Sequence, residues 1–296
     1  MAGILDRCAG YVMRGRQQAI VVGLLFAVMP LLGWISNVII SLVTLRKGAK
    51  EGAIVLLWIS LPVIVVASLV SPWIALYDFV GGSLFVYLLA LILRQTQSWK
   101  QVLEVGMFVG LLVIVLAHLL VPNVQALWIK QLAHYASMVK AQFHLTINLD
   151  QLPFFTKFAT GFQVACLLLG ILIDLILARS LQSMLYNPKQ LRPELEAVRL
   201  SKWDVLALLV IMTLAGLQKL AVAQDVLPVV LLTFILAGLS VLHALMHQRN
   251  TFFKAWFLLF YILLIVFFPY LAALLVLVAI MDSCLDFRHR LLSKPD

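Results

Sequence analysis

The ionisable residues of this chain are few, and several fall inside otherwise apolar stretches, where a charge must be neutralised, hydrated or put to use. Tyr77 and Asp78 lie near the start of one stretch, His118 near the end of the next, and Gln218 with Lys219 near the end of a later one. A carboxylate, an imidazole, an ammonium and two neutral hydrogen-bonding groups can together line a polar pocket for a small molecule. In that reading Asp78 and Lys219 form its opposite-charge pair. The competing reading is that His118 and Lys219 only reach toward headgroups and water. Asp174 sits near one end of its stretch with Arg179 five residues on, which suggests a structural ion pair or an interfacial position. Asp282 and Asp286 share a helix face at i, i+4, just ahead of Arg288. That acidic face suits a docking partner, or a clamp on the basic segment 179–202. His243 and His247 also share a face, but no third ligand stands near them to make a metal site.

The signatures of enzymes are missing. There is no HExxH, no GxSxG, no GxxxxGK[ST] and no glycine-rich loop ahead of a helix. The expectation is a non-enzyme without a cofactor. Energised transport would draw on partner subunits or an ion gradient. Cys8, Cys166 and Cys284 are too far apart in sequence to form a metal or disulfide pattern.

The elements that position these residues follow from composition. Hydrophobic residues make up 64% of the 296-residue chain, charged residues 12%, and mean hydropathy is +1.06. One soluble core cannot hide that much apolar surface, so the solvent is a lipid bilayer. The reading is an all-α, polytopic helical bundle, a single membrane domain over 1–296. The net charge of +9 does not indicate nucleic acid, because Lys and Arg cluster at the ends of the apolar spans, as the positive-inside rule describes. Arg14 and Arg16 precede an apolar run with no small-residue cleavage site after it, so the first helix is expected to stay.

The apolar stretches are 18–45, 52–70, 73–93, 101–121, 158–178, 203–223, 226–246 and 254–285. The first and last exceed one crossing of about 20 residues and contain Pro30 and Pro269, each of which kinks a helix or turns a hairpin. Charge favours the hairpins, since basic residues flank both ends of both stretches: Arg7, Arg14 and Arg16 with Arg46, Lys47 and Lys50, then Arg249 and Lys254 with Arg288, Arg290 and Lys294. Ten helices with both termini cytoplasmic satisfy this pattern, and eight is the alternative. It puts the 70–72 turn, the 121–157 loop and an Asp225 turn outside. The loop 122–157 carries an amphipathic run with Trp128, Leu132, Tyr135 and Val139 on one stripe, suited to the membrane surface. The cytoplasmic loop 179–202 holds a short helix beginning near Pro193. Ala19, Gly23 and Ala27 stack every fourth residue on the first helix, a small-residue face for close approach of another helix, and Gly106 and Gly110 repeat the spacing.

Four segments together carry a resemblance: Met13-Arg14-Gly15-Arg16; Pro30-Leu31-Leu32-Gly33-Trp34 with Leu42-Val43-Thr44-Leu45-Arg46-Lys47-Gly48; Ala178-Arg179 running to Leu185-Tyr186-Asn187-Pro188; and Met281-Asp282-Ser283-Cys284-Leu285-Asp286-Phe287-Arg288. Over nearly the whole chain this resembles the YybS-like family of bacterial inner-membrane proteins, a domain-of-unknown-function family. Through that family it is similar to the substrate-binding S-components of energy-coupling-factor transporters. The resemblance implies an S-component-like fold in the inner membrane and a pocket for an unidentified small molecule open to the outside. It also implies a coupling membrane subunit docked at the position of Ala19, Gly23 and Ala27. The chain has more helices than those components and no vitamin-binding motif. The alternative function is a non-transporting scaffold that recruits envelope or regulatory proteins through the 179–202 segment and the Asp282/Asp286 face.

Overall fold

The computed structural model describes residues 2–29, 31–72, 76, 79–143, 152–186, 190–217, 220–247 and 253–285. Among them there is no strand. The chain is an all-α integral membrane protein, as its hydropathy dictates, because a helix satisfies its own backbone polar groups where no water can. Its helices are α1 (Ala2–Arg14), α2 (Arg16–Val28), α3 (Gly33–Lys47) and α4 (Ala49–Val70), then a π-helical turn (Phe79–Leu84) leading into α5 (Phe85–Thr96). There follow α6 (Trp99–Leu120), α7 (Val124–Phe143), a helical turn (Leu152–Phe155) with a 3-10 turn (Thr156–Phe158), α8 (Ala159–Tyr186) and α9 (Leu191–Glu196). The chain then forms α10 (Lys202–Gly216), α11 (Ala221–His247), α12 (Phe253–Val266) and α13 (Phe268–Leu285).

Among the described residues, six runs are long and apolar enough to cross a membrane: α4, Phe79–Thr96, α6, Thr156–Tyr186, Ala221–Leu245 and α13. Two shorter apolar helices, Arg16–Val28 and Trp256–Val266, accompany them. With α3 and α10 added, the described residues hold ten apolar helices.

The chain forms two compact units, 1–105 with 167–198, and 106–166 with 199–296. In the first, α3 is the central helix. Every residue from Val38 to Leu45 is buried, so α3 has no lipid-facing stripe and is covered by α2, α4 and α5. Arg16 at the start of α2 pairs with Glu51 in the first turn of α4 at 2.5 Å, and the Ser36 hydroxyl donates to the Gly23 carbonyl at 2.8 Å. The start of α2 and the end of α3 therefore lie together, and α2–α3 is a hairpin. Pro30 itself lies outside the described residues. Gly48 ends α3 at φ +100°, a conformation that suits glycine, and Arg94 donates to the Leu45 carbonyl at 2.6 Å, closing an acceptor that the helix end leaves open.

The hairpin uses the small-residue face. Ala19 and Gly23 are buried and Ala27 is half-buried, and a methyl group on Gly23 would run into Ile59 of α4. The face that the resemblance assigns to a coupling subunit is covered by the chain's own α3 and α4.

In the second unit α11 is the central helix, packed on α10 and most extensively on α13. Gln224 of α11 donates to the Ala215 carbonyl of α10 at 3.4 Å, so these two helices are antiparallel and α11 ends beside the start of α10. Arg199, just ahead of α10, donates to the Ser283 carbonyl at 3.4 Å, which brings the end of α13 to the same place. His243 near the end of α11 stacks on Phe257 of α12, with ring centroids 4.7 Å apart. Both ends of the α12–α13 stretch thus lie at one end of the unit, and the chain reverses near Phe267 and Pro269. Gly238 permits the close approach of α11 to α13, since a methyl group there would strike the Leu275 backbone.

Two predictions follow from this packing. In a chain with Cys8, Cys166 and Cys284 replaced by serine, Arg14→Cys and Lys50→Cys should react with an impermeant maleimide from the same side of the membrane. Labelling from opposite sides would break the hairpin. Gly238→Val should lower stability by about 3 kcal/mol, near the top of the overpacking range because backbone and not side chain obstructs it. Gly170→Ala, where no described atom lies within 4 Å of the added carbon, should be neutral in the same unfolding titration.

Candidate functional site

The polar centre of the second unit is built by three helices and roofed by a fourth. α6 brings His118 to its last turn, α8 brings Thr160 and Gly161 to its first turn, and α11 brings Gln224 and Asp225. Asp225 is buried, 2% exposed, although it belongs to a candidate membrane span. Its carboxylate is matched by the start of α8. The Gly161 N–H donates to Oδ1 at 2.7 Å, and the Thr160 amide and hydroxyl add further bonds. The first N–H groups of a helix have no partner within it and carry the positive end of the dipole, so an anion from another helix is the natural cap. Gly161 allows this, because a methyl group there would collide with the Asp225 backbone carbonyl.

His118 faces the other carboxylate oxygen. Its Nε2 is 3.7 Å from Asp225 Oδ2, beyond hydrogen-bond length, and its Nδ1 is 3.1 Å from the Ile114 carbonyl. A carbonyl only accepts, so Nδ1 carries a proton. In the neutral ring Nε2 is then a bare acceptor turned toward a carboxylate. Above them Trp128 of α7 donates its indole N–H to Thr160 Oγ1 at 2.9 Å, linking the amphipathic helix to the cluster. The expected apolar stripe of α7 is largely covered at Trp128, Leu132 and Val139, whereas Tyr135 is exposed.

Of the residues that the sequence suggests for a ligand, His118 falls in this cluster. Tyr77, Asp78, Gln218 and Lys219 lie outside the described residues, as does Asp286. Sequence reasoning passed over Asp225 by assigning it to an outer turn. The structure corrects this, with α11 beginning at Ala221 and Asp225 inside it. The signal was present in Gln224-Asp225, two polar residues with apolar neighbours on both sides.

Arg179 does not pair with Asp174. It forms a bidentate ion pair with Glu194 of α9, which also accepts from the Trp99 indole at 3.4 Å. Asp174 is instead bonded by Asn37. His243 has its Nδ1 on the Leu239 carbonyl and its Nε2 3.2 Å from the Tyr261 hydroxyl, an aromatic packing role, and no metal-ligand group occurs among the described residues. Asp282 is buried, so it does not present an acidic docking face.

Asp225→Ala removes the acceptor for the α8 amides and should cost about 2–3 kcal/mol, the scale for hydrogen bonds to a charged group. Asp225→Asn keeps one acceptor oxygen and should cost about half as much. Unfolding midpoints of the two variants in a denaturing-detergent titration check the order. Equal midpoints would mean that the carboxylate does not hold α8.

Compared with family models, curated proteins and solved structures, the chain matches none, so its chemistry rests on this geometry.

Proposed function

We propose that this integral membrane protein binds a small amine-bearing solute at the His118–Asp225 pair. It would serve as the solute-binding member of a transport system, with no ATPase of its own. The observation that carries the reading is the 3.7 Å separation of imidazole Nε2 and carboxylate Oδ2 in a buried site, beyond direct hydrogen-bond length. With the ring neutral and its proton on Nδ1, these are two acceptors, which face each other unfavourably unless a donor lies between them. A protonated amine donates one hydrogen to each, and its charge balances the carboxylate.

The similarity to YybS-like proteins, and through them to solute-capturing components, supports the same reading. The basic residues at 7–16, 46–50, 94–100, 179–202 and 288–294 support the inner membrane of a bacterium, both termini in the cytoplasm and α7 on the outer face. A scaffold acting through the Asp282 face is less well supported, because Asp282 is buried. Any coupling subunit must dock elsewhere than on the covered Ala19–Gly23–Ala27 face.

Thermal unfolding of the purified protein against primary amines, quaternary ammonium ions and carboxylates tests this. At about 100 times Kd a primary amine should raise the midpoint by about 5 °C or more. Quaternary ammonium ions, which carry the charge without an N–H, should not, nor should carboxylates. His118→Ala should abolish the shift. A panel without any amine response, or a response that survives His118→Ala, overturns the reading.

A further inference from the structure

The first unit holds a second buried carboxylate whose surroundings differ from those of Asp225. Asp174 of α8 is 6% exposed within a candidate membrane span. The hydrogen bond shown for it comes from the Asn37 carboxamide of α3. Among the described residues no basic side chain forms an ion pair with it. Arg179, the nearest in sequence, is committed to Glu194, and Arg94 to the carbonyls of Thr44 and Leu45. A carboxylate has about four lone-pair sites, and one amide does not fill them.

Asn37 in turn meets a hydroxyl. Asn37 Oδ1 accepts from the Ser83 hydroxyl at 3.2 Å, and Ser83 sits on the π-helical turn Phe79–Leu84. Such turns interrupt the regular ladder and recur at functional sites, and interrupted membrane helices use freed carbonyls to hold cations. Ser41, one turn beyond Asn37 on the same face of α3, is fully buried, and its hydroxyl has no hydrogen-bond partner among the described residues. Ser60 is likewise buried without a partner. It falls level with Ser36 and Asn37 in the antiparallel α3–α4 pair, whose register is fixed where Gly52 meets Thr44. Serines in helices ordinarily return their hydroxyl to the carbonyl four residues back, as Ser283 does here. Two that do not, one a turn beyond Asn37 and one level with it, leave unpartnered hydroxyls near the carboxamide that bonds Asp174.

The glycines of the π-helical turn are uncrowded among the described residues. A methyl group added at Gly81 would meet no described atom within 4 Å, and one at Gly82 only the Asn37 amide nitrogen at 4.0 Å.

We propose that Asp174, Asn37 and Ser83 form a site for one sodium ion, with Ser41 as a further hydroxyl donor. Sodium is a hard monovalent cation that takes carboxylate, carboxamide, hydroxyl and carbonyl oxygens. Its single charge matches a single carboxylate, whereas calcium sites gather more oxygens and more charge. The proposal uses only residues of the first unit and stands apart from the amine reading. It supplies an ion gradient as the energy source for a chain without an ATP-binding loop.

The test is a sodium titration of the purified full-length chain at constant ionic strength, with N-methylglucamine chloride replaced by NaCl or, in parallel, by KCl. Thermal unfolding and hydrogen exchange over 33–47 and 79–96 are the readouts. Sodium should raise the midpoint and slow exchange in both segments, and potassium should not. Asp174→Asn should remove the response while leaving a folded protein, since it takes away a buried charge. Ser83→Ala should raise the half-saturating sodium concentration by about tenfold, the equivalent of one lost ligand bond. It keeps the test decisive if Asp174→Asn does not fold. No sodium-specific response in the wild type, or a response unchanged in Asp174→Asn or in Ser83→Ala, overturns the site. So does a midpoint that moves with pH but not with sodium, which would make the guest a proton.

Discussion

Inside hydrocarbon a polar group must find its partner within the protein, and the structure is organised around that requirement. Several hydroxyls on the apolar helices return to their own helix: Thr44 to Ile40, Thr213 to Leu209, Thr233 to Val229 and Ser283 to Ala279. Helix ends are harder, because their last carbonyls and first amides have nothing to return to. Arg94 solves this for α3 through two carbonyls, and Asp225 solves it for α8 through the Gly161 and Thr160 amides. Both solutions reach across to another helix, so they fix packing as well as termini.

The same requirement explains which parts of the fold can be read from the residues. The hairpins at Pro30 and Pro269 are legible because basic residues on both flanks of an overlong apolar run cannot easily be shared between two faces of a membrane. The helix α7 is legible from its stripe of Trp128, Leu132, Tyr135 and Val139, of which Tyr135 alone is exposed. Asp225 is not, because its partner lies 64 residues away and nothing local marks a carboxylate as the cap of a distant helix. Arg179 misleads for a similar reason. Asp174 is near in sequence, but α9 folds back to offer Glu194 with bidentate geometry, and the longer-range partner wins. The small-residue face of α2 has the right spacing for a partner helix, and the partners are α3 and α4. Spacing says that a helix will approach closely and cannot say whose helix it is. Of the larger pocket drawn from the sequence, only His118 is among the described residues; Tyr77, Asp78, Gln218 and Lys219 lie outside them.

Asp174 and Asp225 are buried to nearly the same degree, yet they differ in the polar groups supplied to them, and this difference bears on function. Asp225 sits on a helix N-terminus, where backbone dipoles that cannot rearrange favour its negative charge. A partner at that site has only His118 left to engage, and must bring donors rather than acceptors. Asp174 meets a single carboxamide, which itself bonds a hydroxyl on the π-helical turn. Its compensation is therefore supplied by a side chain and a distorted turn instead of a helix end. A charge held by fixed dipoles suits recognition, because it is present before the ligand arrives and needs no reorganisation. A charge held by groups that can rearrange suits an exchangeable ion, because the protein can meet the carboxylate with or without the guest.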